Sequence, residues 1–194
     1  MIRVATKTDL PAIVRIYNQA IRQGEGEDSQ PVTAFRKPLT VAGRRAWFDR
    51  HKADTHPIWV AERQGDVAGW CSLSPYRTGR AALKKATEIS YYVDVRHRRN
   101  GVGSAMMEQA LRAAPDLGFD AMIAVLLEGN SGSIGLLNRY GFSEWGRLPQ
   151  IAQFGTDRYD HLIYGRQLEP EHRSQVKGDG KRGHVAEEEE DNVY

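Results

Sequence analysis

The stretch that most restricts how this chain can fold is Ile89-Ser90-Tyr91-Tyr92-Val93-Asp94-Val95-Arg96-His97-Arg98-Arg99-Asn100-Gly101-Val102-Gly103-Ser104. Its first part is rich in β-branched and aromatic residues, as a strand requires, and beyond it Met106, Met107, Ala110 and Leu111 recur at helical spacing. A strand must therefore give way to a helix within a few residues, through a turn that is basic and carries two glycines. The first amides of such a helix have no carbonyl partner inside it, and the aligned peptide dipoles place positive potential at the same end. That combination suits an anion, and the missing Cβ at Gly101 and Gly103 lets a pyrophosphate approach the backbone closely.

Other phosphate loops fit badly. No Gly-Lys-Ser/Thr is present, and Met106 stands where a dinucleotide fingerprint needs its third glycine. On spacing alone, a phosphate-cradling loop and a plain structural turn stay equally open. Arg96, His97, Arg98 and Arg99 lack the interleaved aromatics or recognition helix of a nucleic-acid surface, so no nucleic-acid partner is expected.

A chain of 194 residues, 40% apolar, can bury one sizeable core and is too short for two full domains. The net charge of +2 hides an uneven distribution: from Glu169 onward there are eight acidic and four basic residues, leaving about +6 on residues 1 to 168. That balance suits an anionic ligand. Glu169 to Tyr194, with the run Glu187-Glu188-Glu189-Glu190-Asp191, reads as a disordered polar tail. Cys71, the single cysteine, allows no intrachain disulfide and reads as a buried strand residue. No secretory-type apolar run opens the chain and no stretch approaches the ~20 apolar residues of a membrane span, so a soluble cytoplasmic protein without membrane partners is expected. His51 and His56 offer no helical ligand pair and no metal spacing appears elsewhere, so no metal is expected.

Ile2 to Ala5 reads as a strand, followed by a Thr8-Asp9 cap and a helix with Leu10, Ile13, Ile16, Tyr17, Ala20 and Ile21 on one face. Residues 23 to 40 have loop composition, and 43 to 51 suit a second helix. Ile58 to Ala61 and Val67 to Leu73 flank a Gln64-Gly65-Asp66 turn as a hairpin, and Ala86 to Val95 forms the next strand. Gly101 to Ala114 is helical, Ala121 to Leu126 is a strand, and Ser131 to Tyr140 is a helix stopped by Gly141. Strands at 143 to 148 and 159 to 168 close the domain.

Arg98-x-x-Gly101-x-Gly103 resembles the Gln/Arg-x-x-Gly-x-Gly/Ala signature of the GCN5-related N-acetyltransferase (GNAT) superfamily, and Asn130-x-x-Ser133-(x)7-Gly141-Phe142 resembles its following motif. The likeness runs from Ile2 to about Leu168, taking in Tyr17-Asn18, Trp47-Phe48, Val60-Ala61-Glu62, Val67-Ala68-Gly69 and Glu88 ahead of Tyr91-Tyr92-Val93. Within the superfamily it is most similar to the phosphinothricin and methionine sulfoximine acetyltransferase group. The resemblance implies an N-acetyltransferase domain over residues 1 to 168. Its fold would be α/β (α+β), a single mixed, mostly antiparallel sheet splayed in the middle, with helices on both faces.

The resemblance also implies acetyl-coenzyme A as co-substrate. Its pantetheine arm would pair with backbone at Tyr91, Tyr92 and Val93, as an extended arm reads a strand edge. Its pyrophosphate would rest on Arg98, Arg99, Asn100, Gly101, Val102, Gly103 and Ser104, with Asn130 and Ser133 nearby. Acetyl transfer to an amine needs a base to take the ammonium proton, and Glu88 is the expected one, sharing a strand face with Ser90 and Tyr92. Arg77 and Arg80, with Tyr92, would hold a small amine or amino-acid-like acceptor, the arginines gripping a carboxylate.

Two positions depart from the pattern. Leu137 stands where many members carry a tyrosine and this group a histidine, so thiolate would leave unprotonated or be served by a neighbour such as Tyr140 or a water. Leu83 replaces an aromatic shortly before the glutamate. The rival to the enzyme is a coenzyme A-binding sensor without turnover. The group often dimerises, so a homodimer is compatible with the resemblance.

Overall fold

In a computed structural model, residues 1–23 and 30–168 are described. The acidic tail and the first part of the 23 to 40 loop lie outside the described residues; residues 30 to 40 contain neither helix nor strand, as their composition suggests. Seven strands, β1 (Ile2–Val4), β2 (Ile58–Arg63), β3 (Asp66–Pro75), β4 (Ala86–Val93), β5 (Ala121–Leu127), β6 (Ser143–Phe154) and β7 (Asp157–Gln167), form one sheet in the order β1-β2-β3-β4-β5-β7-β6. Four helices, α1 (Leu10–Gln23), α2 (Val41–Arg50), α3 (Val102–Asp116) and α4 (Ser131–Arg139), lie on its two faces.

Period-two alternation divides the core. Cys71, Leu73 and Ile89 pack with Met106, Met107 and Ala110 of α3 and Leu137 of α4 on one face. Trp70, Val60 and Ile58 pack with Ile13, Ile16, Tyr17 and Ile21 of α1 on the other, and Tyr92, Trp47 and Phe48 lie against them. Cys71 is fully buried, and burial pushes its thiol pKa up, as befits an inert core residue.

All neighbouring strands are antiparallel except β4 and β5, which run parallel. Their pairing covers only Ala86↔Ala121, Thr87↔Met122 and Glu88↔Ile123. Beyond it, Ile89 to Val93 keep β3 as their partner and Ala124 to Leu127 keep β7, so the sheet opens into a fork.

Local boundaries differ from the sequence expectation in instructive ways. The first helix is entered through Thr6: the Asp9 carboxylate accepts from the Thr6 N–H at 2.7 Å and the Thr6 hydroxyl at 3.0 Å, while also holding Arg3. The second helix begins earlier, at Val41, because the Thr40 hydroxyl accepts the Gly43 N–H. β6 continues past Pro149 to Phe154, since a register shift between Leu148 and Ala152, with Gln150 at φ 54°, absorbs the proline on an edge strand. Gly141 adopts φ 74°, the left-handed helix stop expected of it.

Candidate active site

The fork between β4 and β5 opens into a cleft of about 940 Å³ lined by β4, the turn after it, α3, β5 and α4. Asp94 shapes its entrance. With no exposed surface, this side chain accepts from the backbone N–H of Arg96 at 3.0 Å and from the guanidinium groups of Arg96 and Arg15. Burial opposes its charge, yet the hydrogen bonds from Arg96 and Arg15 prevail and hold the carboxyl well below the usual range. The strand therefore ends at Val93, two residues short of the expected Val95, and the chain turns.

In that turn Arg99 and Gly101 both have positive φ, 62° and 78°, and α3 begins at Val102. The first helical bond runs from the Ala105 N–H to the Gly101 carbonyl, leaving the amides of Val102 to Ser104 without intrahelical acceptors. A Cβ on Gly101 would meet nothing within 4 Å, so the space beside it is open. Gly103 differs: a Cβ there would come within 3.3 Å of Leu136, so this glycine also lets α3 and α4 approach. Arg98, Arg99 and Arg139 form a cationic rim, with His97 beside them and Arg98 donating to Gln23 at 2.8 Å.

Of the residues expected to hold the cofactor, Tyr91, Tyr92, Val93, Arg98, Arg99, Gly101, Val102, Gly103, Ser104, Asn130 and Ser133 line this cleft together. Asn100 does not; it is exposed, and its carbonyl accepts from Arg63. The Asn130 side chain caps α4 by accepting the Ser133 N–H at 3.1 Å, while its amide donates to the Val32 carbonyl. Sequence reading missed Gly132 and Gly135, which line the cleft from inside α4 with open space where a Cβ would stand. Their signal was available: helix-interior glycine costs about 1 kcal/mol against alanine and so calls for a reason.

Glu88 sits at the crotch of the fork, opposite Ser74 on β3 and level with Ile123 on β5. Burial raises its carboxyl pKa, and the charge of Arg77 pulls it partly back. Arg77 and Arg80 are themselves exposed, on the segment between β3 and β4, and neither they nor Glu88 are among the residues that line the cleft, whose wall on β4 begins at Ile89. Tyr92 reaches the cleft but its ring is packed between Tyr17 (4.5 Å) and Trp70 (4.9 Å). Leu137 is fully buried and lines the cleft. Tyr140, the suggested stand-in acid, is not among the residues that line the cleft: its hydroxyl donates to Glu108 on α3 at 2.6 Å, with the cleft residue Ser104 close by. Leu83 is exposed in a short 3₁₀ turn ahead of β4.

His51, noticed in sequence only as a poor metal ligand, lies beside this site. Its Nδ1 is 2.8 Å from the Trp47 carbonyl and must donate, leaving Nε2 to accept from the Ser74 hydroxyl at 3.1 Å. Burial lowers its pKa, which favours that neutral form. Among the described residues no cluster of three or more potential metal ligands occurs, and no helix is long and apolar enough to cross a membrane.

An open strand edge, a helix N-terminus with free amides and a half-buried carboxyl at the fork mark the site, and the chain belongs to the acetyltransferase (GNAT) family, whose sequence model matches residues 20–142. It is a GNAT-type N-acetyltransferase. Among its relatives is the phosphinothricin acetyltransferase candidate YwnH of Bacillus subtilis, 40% identical over 86% of this chain and 98% of that protein. The L-methionine sulfoximine/L-methionine sulfone acetyltransferase of Pseudomonas aeruginosa is 34% identical over 78% of this chain and 85% of its own. The crystal structure of a Sinorhizobium meliloti phosphinothricin acetyltransferase in complex with acetyl-coenzyme A superposes with a TM-score of 0.77, at 26% identity, covering 87% of this chain and 88% of that one.

Proposed function

We propose that this enzyme moves an acetyl group from acetyl-coenzyme A directly to the amino group of a small amine or amino-acid-like compound, with Glu88 as the base. The observation that carries the reading is Glu88 itself, a carboxyl with raised pKa at the point where the sheet opens. Glu88 takes a proton from the acceptor ammonium, directly or through a water. The freed nitrogen forms a bond to the acetyl carbon as the carbon–sulfur bond breaks, coenzyme A leaves as thiolate, and the second proton released by the nitrogen passes to solvent. The edge of Tyr91 to Val93 that faces β5, left unpaired there, supports strand-like pairing with the pantetheine arm, and the amides of Val102 to Ser104 with Arg98 and Arg99 support diphosphate binding. The names of the relatives support an amino-acid-like acceptor. A cytoplasmic enzyme fits the single, inert thiol.

The test is thiol release from acetyl-coenzyme A across a panel of amines and amino acids, including phosphinothricin and L-methionine sulfone. Acetylation of at least one acceptor, with Glu88→Gln binding acetyl-coenzyme A normally but losing roughly 100-fold or more in turnover near neutral pH, is expected. Binding without release for every acceptor selects the non-catalytic sensor. Unchanged turnover in Glu88→Gln removes Glu88 from the reaction.

A further inference from the structure

Ser74 on β3 is the register partner of Glu88 on β4, and the pairs Ser72↔Ser90 and Trp70↔Tyr92 continue the same sheet face. Opposed side chains of an antiparallel pair stand about 5 Å apart at Cβ. The Ser74 hydroxyl is thus within reach of the Glu88 carboxyl. The neighbouring hydroxyl, that of Thr87, already donates to the Ser74 carbonyl at 3.0 Å.

His51, the residue that ends α2, fixes which way the Ser74 hydroxyl points. Its Nδ1 lies 2.8 Å from the Trp47 carbonyl and its Nε2 3.1 Å from the Ser74 hydroxyl. A carbonyl oxygen only accepts, so Nδ1 carries the ring hydrogen, and Nε2 of the neutral ring is left as an acceptor. The surroundings favour that neutral ring. Burial is the largest influence, and His56, Arg44 and Arg50 all oppose its charge, while the bond to the Trp47 carbonyl acts the other way.

A hydroxyl has one hydrogen and two lone pairs. With the hydrogen drawn to His51, Ser74 offers Glu88 its lone pairs alone. Lone pairs repel a carboxylate but accept from a carboxylic acid, so they favour the protonated form. Among the described residues none donates a hydrogen bond to the Glu88 carboxyl, and Arg77 is the charge that favours its ionisation.

We propose that His51 is a positioning residue for the base: by fixing the direction of the Ser74 hydroxyl it denies Glu88 a hydrogen-bond donor and so keeps the carboxylate's affinity for the acceptor's proton high. Protonation of His51 reverses the arrangement. Nε2–H then donates to the Ser74 oxygen, and the hydroxyl hydrogen is free to turn to Glu88. The inference rests on the acetyl-transfer reading above, which makes Glu88 the base, and extends the machinery to α2.

The test is an NMR titration of the Glu88 carboxyl carbon in protein labelled at glutamate, the signal being assigned by its loss in Glu88→Gln. His51→Asn keeps an amide N–H for the Trp47 carbonyl but is too short to reach Ser74, whereas His51→Gln places an amide oxygen where Nε2 stood. His51→Asn should lower the Glu88 pKa by about 1 unit, as a freed hydroxyl donor stabilises the carboxylate. His51→Gln should keep the wild-type value, and in a Ser74→Ala background neither substitution should shift it. The acid limb of kcat/KM should move with the carboxyl. No shift in His51→Asn, an equal shift in both His51 variants, or a shift that persists in the Ser74→Ala background would overturn the proposal. Ring-nitrogen NMR of the wild-type protein needs no variant to fold: the hydrogen on Nδ1 at pH 7 is expected, and the hydrogen on Nε2 overturns the proposal. A Ser74-dependent shift without thiol release for any acceptor sustains the coupling and sinks the acetyl-transfer reading. Thiol release with a Glu88 pKa indifferent to His51 does the reverse.

Discussion

Glu88 on β4 and Ile123 on β5 form the last register pair before the two parallel strands part. The carboxyl is therefore fixed by pairing on one side and stands at an opening on the other. It keeps a raised pKa because burial outweighs the favourable charge of Arg77.

That position makes Glu88 a burden on the fold. A carboxyl whose folded pKa exceeds its unfolded value favours folding while protonated, and this contribution is lost as pH rises through the folded pKa. Glu88→Gln should therefore match the wild type in thermal stability near pH 4 and exceed it at pH 7 to 8, by about 1.4 kcal/mol for each unit by which the folded carboxyl is raised. Thermal melts of both proteins across that range test it; a glutamine variant less stable at neutral pH would contradict the account.

Asp94 shows the opposite sign. Its folded pKa is depressed, so its ion pairs stabilise the protein above the unfolded carboxylate range and the benefit disappears as pH falls through the folded value. Because Arg15 and Arg96 are 41% and 56% exposed, solvent screens part of the interaction. Asp94→Asn should cost about 1–2 kcal/mol at pH 7, a deficit that shrinks in acid. It should also raise the KM for acetyl-coenzyme A, since Asp94 anchors the turn that bears Arg98 to Ser104. Denaturant unfolding at pH 7 and pH 3, beside steady-state kinetics, measures both.

Tyr140 supplies a negative prediction. Its hydroxyl is committed to Glu108 on the surface of α3, and Tyr140 is not among the residues that line the cleft. Tyr140→Phe should leave kcat within about 2-fold and stability within about 1 kcal/mol of the wild type, as for loss of one exposed hydrogen bond. A large fall in kcat would show that the phenol reaches the departing thiolate after all.

Much of this architecture was legible because the signals were local. Gly101 and Gly141 occupy left-handed positions that only their own neighbours dictate, and the Ile58 to Leu73 hairpin follows from alternation around Gln64-Gly65. The fork was expected from the resemblance; periodicity cannot show how far two distant strands pair. Thr6 escaped notice because its cap is made by the side chain of Asp9, three residues on, which also serves Arg3. The extension of β6 past Pro149 depends on a bulge that propensity disfavours. The place of His51 beside the site was invisible because α2 has no apolar periodicity of its own; it arises only when Trp47 docks against Trp70 and the helix is laid over the sheet.

The short seam between β4 and β5 has a cellular consequence. Three residue pairs are all that join the two parts of the sheet directly, and the strands beyond them face a gap. A ligand that bridges such a gap binds the folded chain and not the unfolded one, and at a hundredfold excess over its Kd it adds about 2.7 kcal/mol to stability. Proteolysis draws on the unfolded fraction, so a change of that size alters protein abundance several-fold. The supply of ligand then governs how many molecules persist as well as how fast each one works.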